Sequence, residues 1–234
     1  MPVNGPQTIL ILGGTREAAE LAKELVAAHP GARIITSLAG RTREPAPLKG
    51  EVRSGGFGGA EGLADYIRTH GVTRVIDATH PFARRISANA VEAARLTGVP
   101  LDIRTRMPWV KQPGDHWIEV ETLEAARDAI PPGARVLLAL GSQHIGLFAA
   151  RADVHFVVRM IDPPPTPLDL PDYALVLGRP GDSAAVEAML LIANSITHIV
   201  CRNSGGAAAY AKIEAARQLG LPVILVARGE GRRC

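Results

Sequence analysis

Short apolar runs alternate with amphipathic stretches along nearly the whole chain. In the first half the predicted strands are Thr8–Leu12, Ala32–Ser37, Gly50–Arg53, Arg74–Ala78 and Pro100–Arg104, and the predicted helices are Arg16–Ala28, Ala60–His70 and Ala83–Thr97. Strands that read as continuous apolar runs are typical of a parallel sheet buried on both faces. The alternation of strand and helix therefore predicts an α/β domain with helices on both faces of the sheet.

The same rhythm restarts after a proline-containing crossing segment, Met107–Trp117. The second half has predicted strands Trp117–Val120, Val136–Leu140, Val154–Met160, Ala174–Leu177, His198–Cys201 and Pro222–Ala227, and predicted helices Leu123–Ile130, Gln143–Ala150, Ser183–Asn194 and Gly206–Leu219. We place a domain boundary near Trp109, which gives an α/β domain over 1–109 and a second over 110–234.

Two segments, one starting at Ala90 and one at Lys212, share the letters EAAR followed by a glycine, a proline and an apolar strand. This similarity is compatible with two similar domains that face each other across a cleft. It is equally compatible with two ordinary helix–glycine–proline–strand units.

Composition narrows the class of protein. The chain of 234 residues is 47% hydrophobic and 21% charged, and no apolar run approaches the roughly 18 residues that span a bilayer. No export signal is visible, and two cysteines do not form a disulfide framework, so we expect a soluble protein of the reducing cytoplasm, not bound to membrane. Aromatic residues make up only 4%, which argues against a nucleic-acid partner.

The first predicted strand runs into Gly13-Gly14-Thr15-Arg16-Glu17. Glycines at the end of a strand let the backbone approach a phosphate, and the helix that follows offers free N–H groups and the positive end of its dipole. The spacing is not the usual G-x-G-x-x-G, and a tight turn that needs glycine only for its dihedral angles explains the same letters. The spacing favours a bound pyrophosphate.

The end of the second predicted strand bears on which dinucleotide is bound. An acid at this point would bind the ribose 2′-hydroxyl of NAD. The stretch Thr36–Pro45 instead carries Ser37, Arg41 and Arg43, and no acid before Glu44. Hydroxyl and guanidinium groups suit the 2′-phosphate of NADP, so the sequence favours NADP over NAD, although a solvated basic loop is the simpler alternative.

The stretch Asp77–Arg85, DATHPFARR, follows the fourth predicted strand. His80 is a candidate donor of a hydrogen bond or a proton. Thr79 is a candidate coenzyme contact, and a turn in which Thr79 or His80 only satisfies backbone groups is the alternative.

Two further strand ends in the second half are rich in donors. Ser204, Gly205 and Gly206 provide backbone donors between Arg202 and Lys212, and Leu137–Gln143 ends in a glycine, a serine and the amide Gln143. Neither stretch is a dinucleotide fingerprint. We therefore expect these loops to hold a large anionic substrate.

Several chemistries lack their motifs. The chain has no G-x-x-x-x-G-K-[S/T], no G-x-S-x-G and no tyrosine four residues before a lysine. Its seven histidines lack metal-ligand spacing, so no metal site is expected. Hydride transfer from a nicotinamide is the chemistry that remains, because the coenzyme supplies it.

Four segments together resemble the precorrin-6A reductase family of cobalamin biosynthesis. They are ILGGTREA, VIDATHPFA, LLALGSQ and NSGGAAAYAKIEAARQLGLPVILVAR, and they occur in the family's order over nearly the whole chain. The combination of THPFA with a late SGG is specific, whereas the opening glycines alone are not. One departure is Arg202, which stands where the family pattern is expected to carry lysine.

The resemblance implies two Rossmann-like parallel-sheet domains facing a central cleft and NADPH-dependent reduction of precorrin-6A to precorrin-6B. The cobalt-containing analogue and a non-catalytic NADP sensor are the alternatives, and neighbouring enzymes of the pathway are candidate partners. By this resemblance, the residues that contact the coenzyme are Gly13, Gly14, Thr15, Arg16, Glu17, Ser37, Arg41 and Thr79. The catalytic residue is His80. The residues that contact the anionic tetrapyrrole are Gln143, Arg202, Ser204, Gly205 and Lys212.

Overall fold

The chain divides into two compact units, Met1–Thr105 and Arg106–Cys234. The structure, a computed structural model, describes residues 7–40, 47–207 and 209–228. Each unit is built on its own sheet, and all the strand pairs in both sheets are parallel. The prediction of two α/β domains with parallel sheets is confirmed.

The first unit is a five-stranded sheet in the order β3-β2-β1-β4-β5. Its strands are β1 (Thr8–Leu12), β2 (Arg33–Leu38), β3 (Glu51–Ser54), β4 (Arg74–Asp77) and β5 (Leu101–Ile103). Its helices are α1 (Arg16–Ala28), α2 (Ala60–Thr69) and α3 (Arg84–Thr97).

The second unit is a six-stranded sheet in the order β6-β11-β10-β7-β8-β9. Its strands are β6 (Trp117–Val120), β7 (Arg135–Ala139), β8 (His155–Met160), β9 (Tyr173–Leu177), β10 (His198–Arg202) and β11 (Val223–Val226). Its helices are α4 (Leu123–Asp128), a 3-10 helix at Ser142–Phe148, α5 (Ala184–Ala193) and α6 (Ala211–Leu219).

The central strand β1 shows why the strands read as continuous apolar runs. Leu10 and Leu12 pack into a cluster with residues of α2 and α3, whereas Ile9 and Ile11 pack against α1 on the opposite face. All five residues of β1 are buried. Since successive side chains of a strand point to opposite faces, a strand covered on both sides must be apolar at every position.

Two predicted helices differ from the structure. The segment after β7 forms a 3-10 helix rather than an α-helix, with His144 N–H donating to Gly141 O at 3.0 Å. The glycine inside it, Gly146, disfavours an α-helix. Helix α6 begins at Ala211 rather than at Gly206, because Gly205 and Gly206 adopt left-handed φ angles of 64° and 72°. Within the described ranges, no helix is both long and apolar enough to cross a membrane.

The chain enters the second unit before Trp109, the residue at which the sequence analysis placed the boundary. Trp109 is 8% exposed and packs in the core of the second unit. Its backbone N–H donates to Asn203 Oδ1 at 2.7 Å, and its carbonyl accepts from Asn203 Nδ2 at 3.0 Å. Strand β11 lies between β10 and β6, so it belongs to the second unit.

A buried ion pair joins β8 to α5. Arg159 Nη1 donates to both carboxylate oxygens of Glu187 at 3.0 Å, and the two side chains are 6% and 1% exposed. Glu187 Oε1 also accepts the N–H of Gly181 at 2.6 Å. The carboxylate therefore fixes the loop between β9 and α5 as well as neutralising the arginine.

Replacing Glu187 by alanine should destabilise the second unit strongly. The Arg159 charge would stay buried without its counter-ion, and breaking a buried pair in this way costs about 3–5 kcal/mol of unfolding free energy. Both tryptophans of the chain, Trp109 and Trp117, lie in the second unit. Urea denaturation followed by tryptophan fluorescence therefore reports the unfolding of this unit.

The matched control is Asp128→Ala, which removes the exposed partner of Arg127 within the same unit. This variant should leave the fluorescence transition unchanged, since exposed pairs contribute little. Equal midpoints for Glu187→Ala and the wild type would contradict a structural role for the buried pair.

Candidate functional site

The first candidate site lies at the carboxyl ends of β1 and β4. The strand order changes direction between these two strands, because the chain proceeds from β1 outward to β2 and β3 and then returns to β4 and β5. Ligands of open parallel sheets bind at such a switch point. Leu12 and Asp77, the last residues of β1 and β4, are paired in register, so the loops that follow them are neighbours.

Gly13 and Gly14 differ in what they require. A Cβ on Gly13 would lie 2.9 Å from Thr36 Cγ2, and its N–H donates to Ser37 O at 2.9 Å, so Gly13 allows close packing against β2. Gly14 has a φ of 103° and open space where a Cβ would stand. The N–H groups of Gly14 and Thr15 have no hydrogen-bond partner among the described residues. Such amides before a helix suit a phosphate.

Thr15 ties the loop together. Its hydroxyl accepts the N–H of Ala18 at 3.1 Å as the N-cap of α1 and donates to Ala78 O at 3.0 Å. The hydroxyl proton is therefore engaged with the turn after β4. Arg16 is exposed in the first turn, and Glu17 is the acid of that turn, where it complements the helix dipole.

Ser37 lies near the carboxyl end of β2, beside Arg53 of β3. Ser37 Oγ accepts from Arg53 Nη1 at 2.8 Å, and the guanidinium lies 3.9 Å from the ring centroid of Phe57. Arg53 thus brings a fixed positive charge to the end of β2. The predicted residue Arg41 lies outside the described residues. The sequence analysis missed Arg53, which sits on a short strand whose register cannot be read from its letters.

The turn after β4 is organised by Asp77, a further residue that the sequence analysis did not single out. Its buried carboxylate accepts the Thr79 N–H at 3.0 Å and the Thr79 hydroxyl at 2.6 Å. Phe82 N–H donates to His80 Nδ1 at 3.3 Å. With Nδ1 as an acceptor, the proton of a neutral His80 ring is on Nε2. An acid that ends an apolar strand was the available signal for Asp77.

The second candidate site lies at the carboxyl ends of β7 and β10. The chain runs outward from β7 to β8 and β9, and then returns to β10 on the other side of β7. Ala139 and Cys201 are paired in register. The loops that carry Gln143 and Ser204 are therefore neighbours at this switch point. Gln143 is exposed, with Nε2 at 3.0 Å from His144 Nε2.

Arg202 ends β10, and Ser204 follows it in a buried turn in which Ser204 N–H donates to Arg202 O at 2.7 Å. A Cβ on Gly205 would overlap the carbonyl oxygen of Met107 and the guanidinium of Arg228. Gly205 is thus a glycine because the chain packs closely against it, in addition to its left-handed φ.

Lys212 lies differently from the expectation that it faces a substrate. Its side chain is buried, Nζ donates to Ala209 O at 2.6 Å, and Nζ lies 5.0 Å from the ring centroid of Trp109. Burial lowers the pKa of Lys212. These contacts make Lys212 part of the support beneath the loop that precedes α6.

This chain is similar to known proteins over nearly its whole length. The family model described as Precorrin-6x reductase CbiJ/CobK matches residues 8–233. A precorrin-6A reductase of Rhodobacter capsulatus is 49% identical over 221 residues, covering 94% of this chain and 87% of the relative. A cobalt-precorrin-6A reductase of Priestia megaterium is 30% identical over 233 residues, covering 94% and 90%.

A solved structure described as CobK precorrin-6A reductase superposes with a TM-score of 0.92. It is 48% identical, and the match covers 97% of this chain and 90% of that chain.

Thr15→Ala should destabilise the first unit by about 0.5–2 kcal/mol, because the N-cap of α1 is lost. Thr15→Ser should retain most of the stability, since the serine hydroxyl can make both hydrogen bonds. Urea denaturation followed by circular dichroism measures the loss. The tryptophan fluorescence transition, which reports the second unit, should stay in place as an internal control. If Thr15→Ala and Thr15→Ser unfold alike, the hydroxyl does not hold this loop.

Proposed function

The chain belongs to the precorrin-6x reductase CbiJ/CobK family, and we propose from this that it reduces one double bond of precorrin-6A to give precorrin-6B, with NADPH as the coenzyme. The observation that carries the proposal is the high identity to precorrin-6A reductases along almost the entire chain. The relatives named for the cobalt-containing substrate are less similar, which favours the metal-free substrate.

A reductase of this family implies a nicotinamide coenzyme, and the first unit fits one. The amides of Gly14 and Thr15 lie at the start of α1 beside the switch point, where a pyrophosphate is held in folds of this kind. When bound, the nicotinamide supplies the hydride. The residues proposed to hold the coenzyme are those of the glycine loop and of the neighbouring strand ends: Gly13, Gly14, Thr15, Arg16, Glu17, Ser37, Arg41 and Thr79.

The proposed preference for NADPH is supported by the end of β2. The described residues that follow β2, Ala39 and Gly40, include no acid that would bind a ribose 2′-hydroxyl. The guanidinium of Arg53 is held beside Ser37, and Arg41 follows in the sequence. A 2′-phosphate accepts strong hydrogen bonds from guanidinium groups.

His80 is proposed as the catalytic residue. Reduction of a carbon–carbon double bond needs a proton as well as a hydride, and His80 follows β4 at the same switch point as the glycine loop. With Nδ1 accepting from Phe82 N–H, a neutral ring presents Nε2–H as a hydrogen-bond donor that can orient the ring to be reduced. Donation of the proton itself requires the imidazolium form of His80.

The proposed substrate contacts lie at the carboxyl edge of the second sheet. Precorrin-6A carries acetate and propionate carboxylates, and these accept hydrogen bonds from amides and from arginine. Gln143, Arg202, Ser204 and Gly205 remain the proposed contacts. Lys212 is proposed to act through the loop that it supports, because its ammonium is buried.

The direct test is anaerobic incubation of the protein with NADPH and either precorrin-6A or its cobalt form, followed by absorbance and by mass spectrometry of the tetrapyrrole. We expect NADPH oxidation and a product heavier by two hydrogens with the metal-free substrate. Turnover of the cobalt form alone would assign the protein to the cobalt branch. Coenzyme binding without turnover of either substrate would favour a sensor.

Arg41→Ala should weaken NADPH binding by about ten- to a hundredfold and leave NADH binding nearly unchanged, because a charge-assisted contact to the 2′-phosphate is lost. Calorimetric titration of both coenzymes measures this. The control is Arg33→Ala, which removes an exposed partner of Glu51 at the start of β2. Equal losses for NADPH and NADH would show that Arg41 does not contact the 2′-phosphate.

His80→Ala should lower kcat for precorrin-6A by about a hundredfold or more while NADPH affinity is retained, as expected for a lost proton donor. Steady-state kinetics and coenzyme titration give the two quantities. His70→Ala is the control, since His70 stacks on Tyr66 at the end of α2. Unchanged kcat in His80→Ala would remove His80 from the reaction.

A further inference from the structure

Three carbonyl groups of the loop at 203–207 accept hydrogen bonds from side chains outside the loop. Arg228, which follows β11, donates from Nε to Asn203 O at 2.8 Å and from Nη2 to Ser204 O at 2.5 Å. The Trp109 indole N–H donates to Gly206 O at 2.8 Å. The carbonyls of Asn203, Ser204 and Gly206 are thus each hydrogen-bonded to a residue that is far away in the sequence.

The direction of these carbonyls fixes the direction of two amides. A trans peptide unit is planar, so its C=O and the N–H of the next residue point opposite ways. All peptide bonds of the described residues are trans. Because Ser204 O points to Arg228, the Gly205 N–H points away from it; because Gly206 O points to Trp109, the Ala207 N–H points away from the indole.

Neither of these amides has a hydrogen-bond partner among the described residues. Gly205 is a buried residue, and buried amides are almost always paired with protein, water or a ligand. The Ser204 hydroxyl also makes no hydrogen bond within the described chain. Among the described residues, these three donors at the switch point between β7 and β10 thus have no acceptor.

The support beneath the loop leaves it little freedom. Arg228 also donates from Nη1 to Arg106 O, and Asn203 clamps both backbone groups of Trp109. Gly205 has no room for a side chain between Met107 O and Arg228. Met107 and Trp109, near the start of the second unit, and Arg228, the second residue after β11, therefore pack against the loop on the side opposite these two amides.

We infer that Arg228 and Trp109 are positioning residues that hold the amides of Gly205 and Ala207, with the Ser204 hydroxyl, as a preformed site for one carboxylate. Within the proposed function, on which this inference rests, that carboxylate is a side chain of the tetrapyrrole. Arg228 does not contact it; three of its nitrogens donate to backbone carbonyls. Its effect on the substrate is exerted through the orientation of the peptide units.

The test compares Arg228→Met and Arg228→Lys with a matched pair, Arg151→Met and Arg151→Lys. Arg151 also donates to two backbone carbonyls of the second unit, those of Arg127 and Ile130, both at 2.8 Å. It lies before β8, at the opposite edge of the sheet. Arg151 also pairs with Asp153, so its variants lose backbone hydrogen bonds and an ion pair without disturbing the loop at 203–207.

Arg228→Met should raise the KM for precorrin-6A by about ten- to a hundredfold, the loss expected for hydrogen bonds to a charged group, with kcat and NADPH affinity unchanged. Arg228→Lys should raise the KM by less than Arg228→Met does, since an ammonium can still donate to some of the carbonyls but reaches fewer of them than a guanidinium. The Arg151 variants should lower stability and leave KM unchanged. If the wild type reduces precorrin-6A and Arg228→Met has the same KM as the wild type, the inference is overturned and the proposed function stands.

If the wild type does not reduce precorrin-6A, a second measurement tests the carboxylate site separately from the proposed reaction. Uroporphyrin, a tetrapyrrole polycarboxylate, is titrated into ¹⁵N-labelled wild type and Arg228→Met. If the Gly205 and Ala207 amide resonances shift in the wild type and not in the variant, the carboxylate site stands without the proposed reaction. If they do not shift in an inactive wild type, both fail.

Discussion

Within each sheet all the strands run in the same direction, and this places the carboxyl ends of the strands of a unit at one edge of its sheet. A parallel sheet covered by helices satisfies its own backbone groups in the interior, so polar chemistry is confined to the loops at its edges. In each unit the strand order then reverses at one point, between β1 and β4 and between β7 and β10. The two candidate sites follow from that arrangement. Their residues are distant in sequence and are brought together only by strand pairing.

The loops at these edges are held in place by hydrogen bonds within the protein, and these hydrogen bonds occupy some of the polar groups of the loops. The Thr15 hydroxyl and the Asp77 carboxylate are both bonded to neighbouring turns, and Arg228 is bonded to three carbonyls. What remains for a ligand is mostly backbone N–H. A site made of backbone donors depends on side chains that never touch the ligand, because those side chains determine where the peptide units point.

The hydrophobic pattern was sufficient to predict the elements, because strands buried on both faces have a simple signature. Helix α1 and strands β1 and β6 have the predicted bounds. The start of α6 was wrong because glycine identity alone does not tell whether φ is left-handed. Lys212 and Arg228 could not be placed from sequence, since a long cationic side chain is either exposed or turned inward depending on tertiary contacts. Arg53 needed the strand register, whereas the acid that ends an apolar strand was a signal for Asp77 that the sequence analysis did not use.

The position of β11 has a consequence for how the protein is made. The strands of the first sheet all occur before residue 105, so this unit has its complete set of strands early in synthesis. In the second sheet the last strand to leave the ribosome, β11, is inserted between β10 and β6, the first strand of that unit. Until it arrives, β6 has no neighbour, and Arg228 is not there to orient the loop at 203–207. The four strands β7 to β10 can pair before β11 is made, whereas the attachment of β6 and the orientation of that loop both wait for the segment that carries β11 and Arg228.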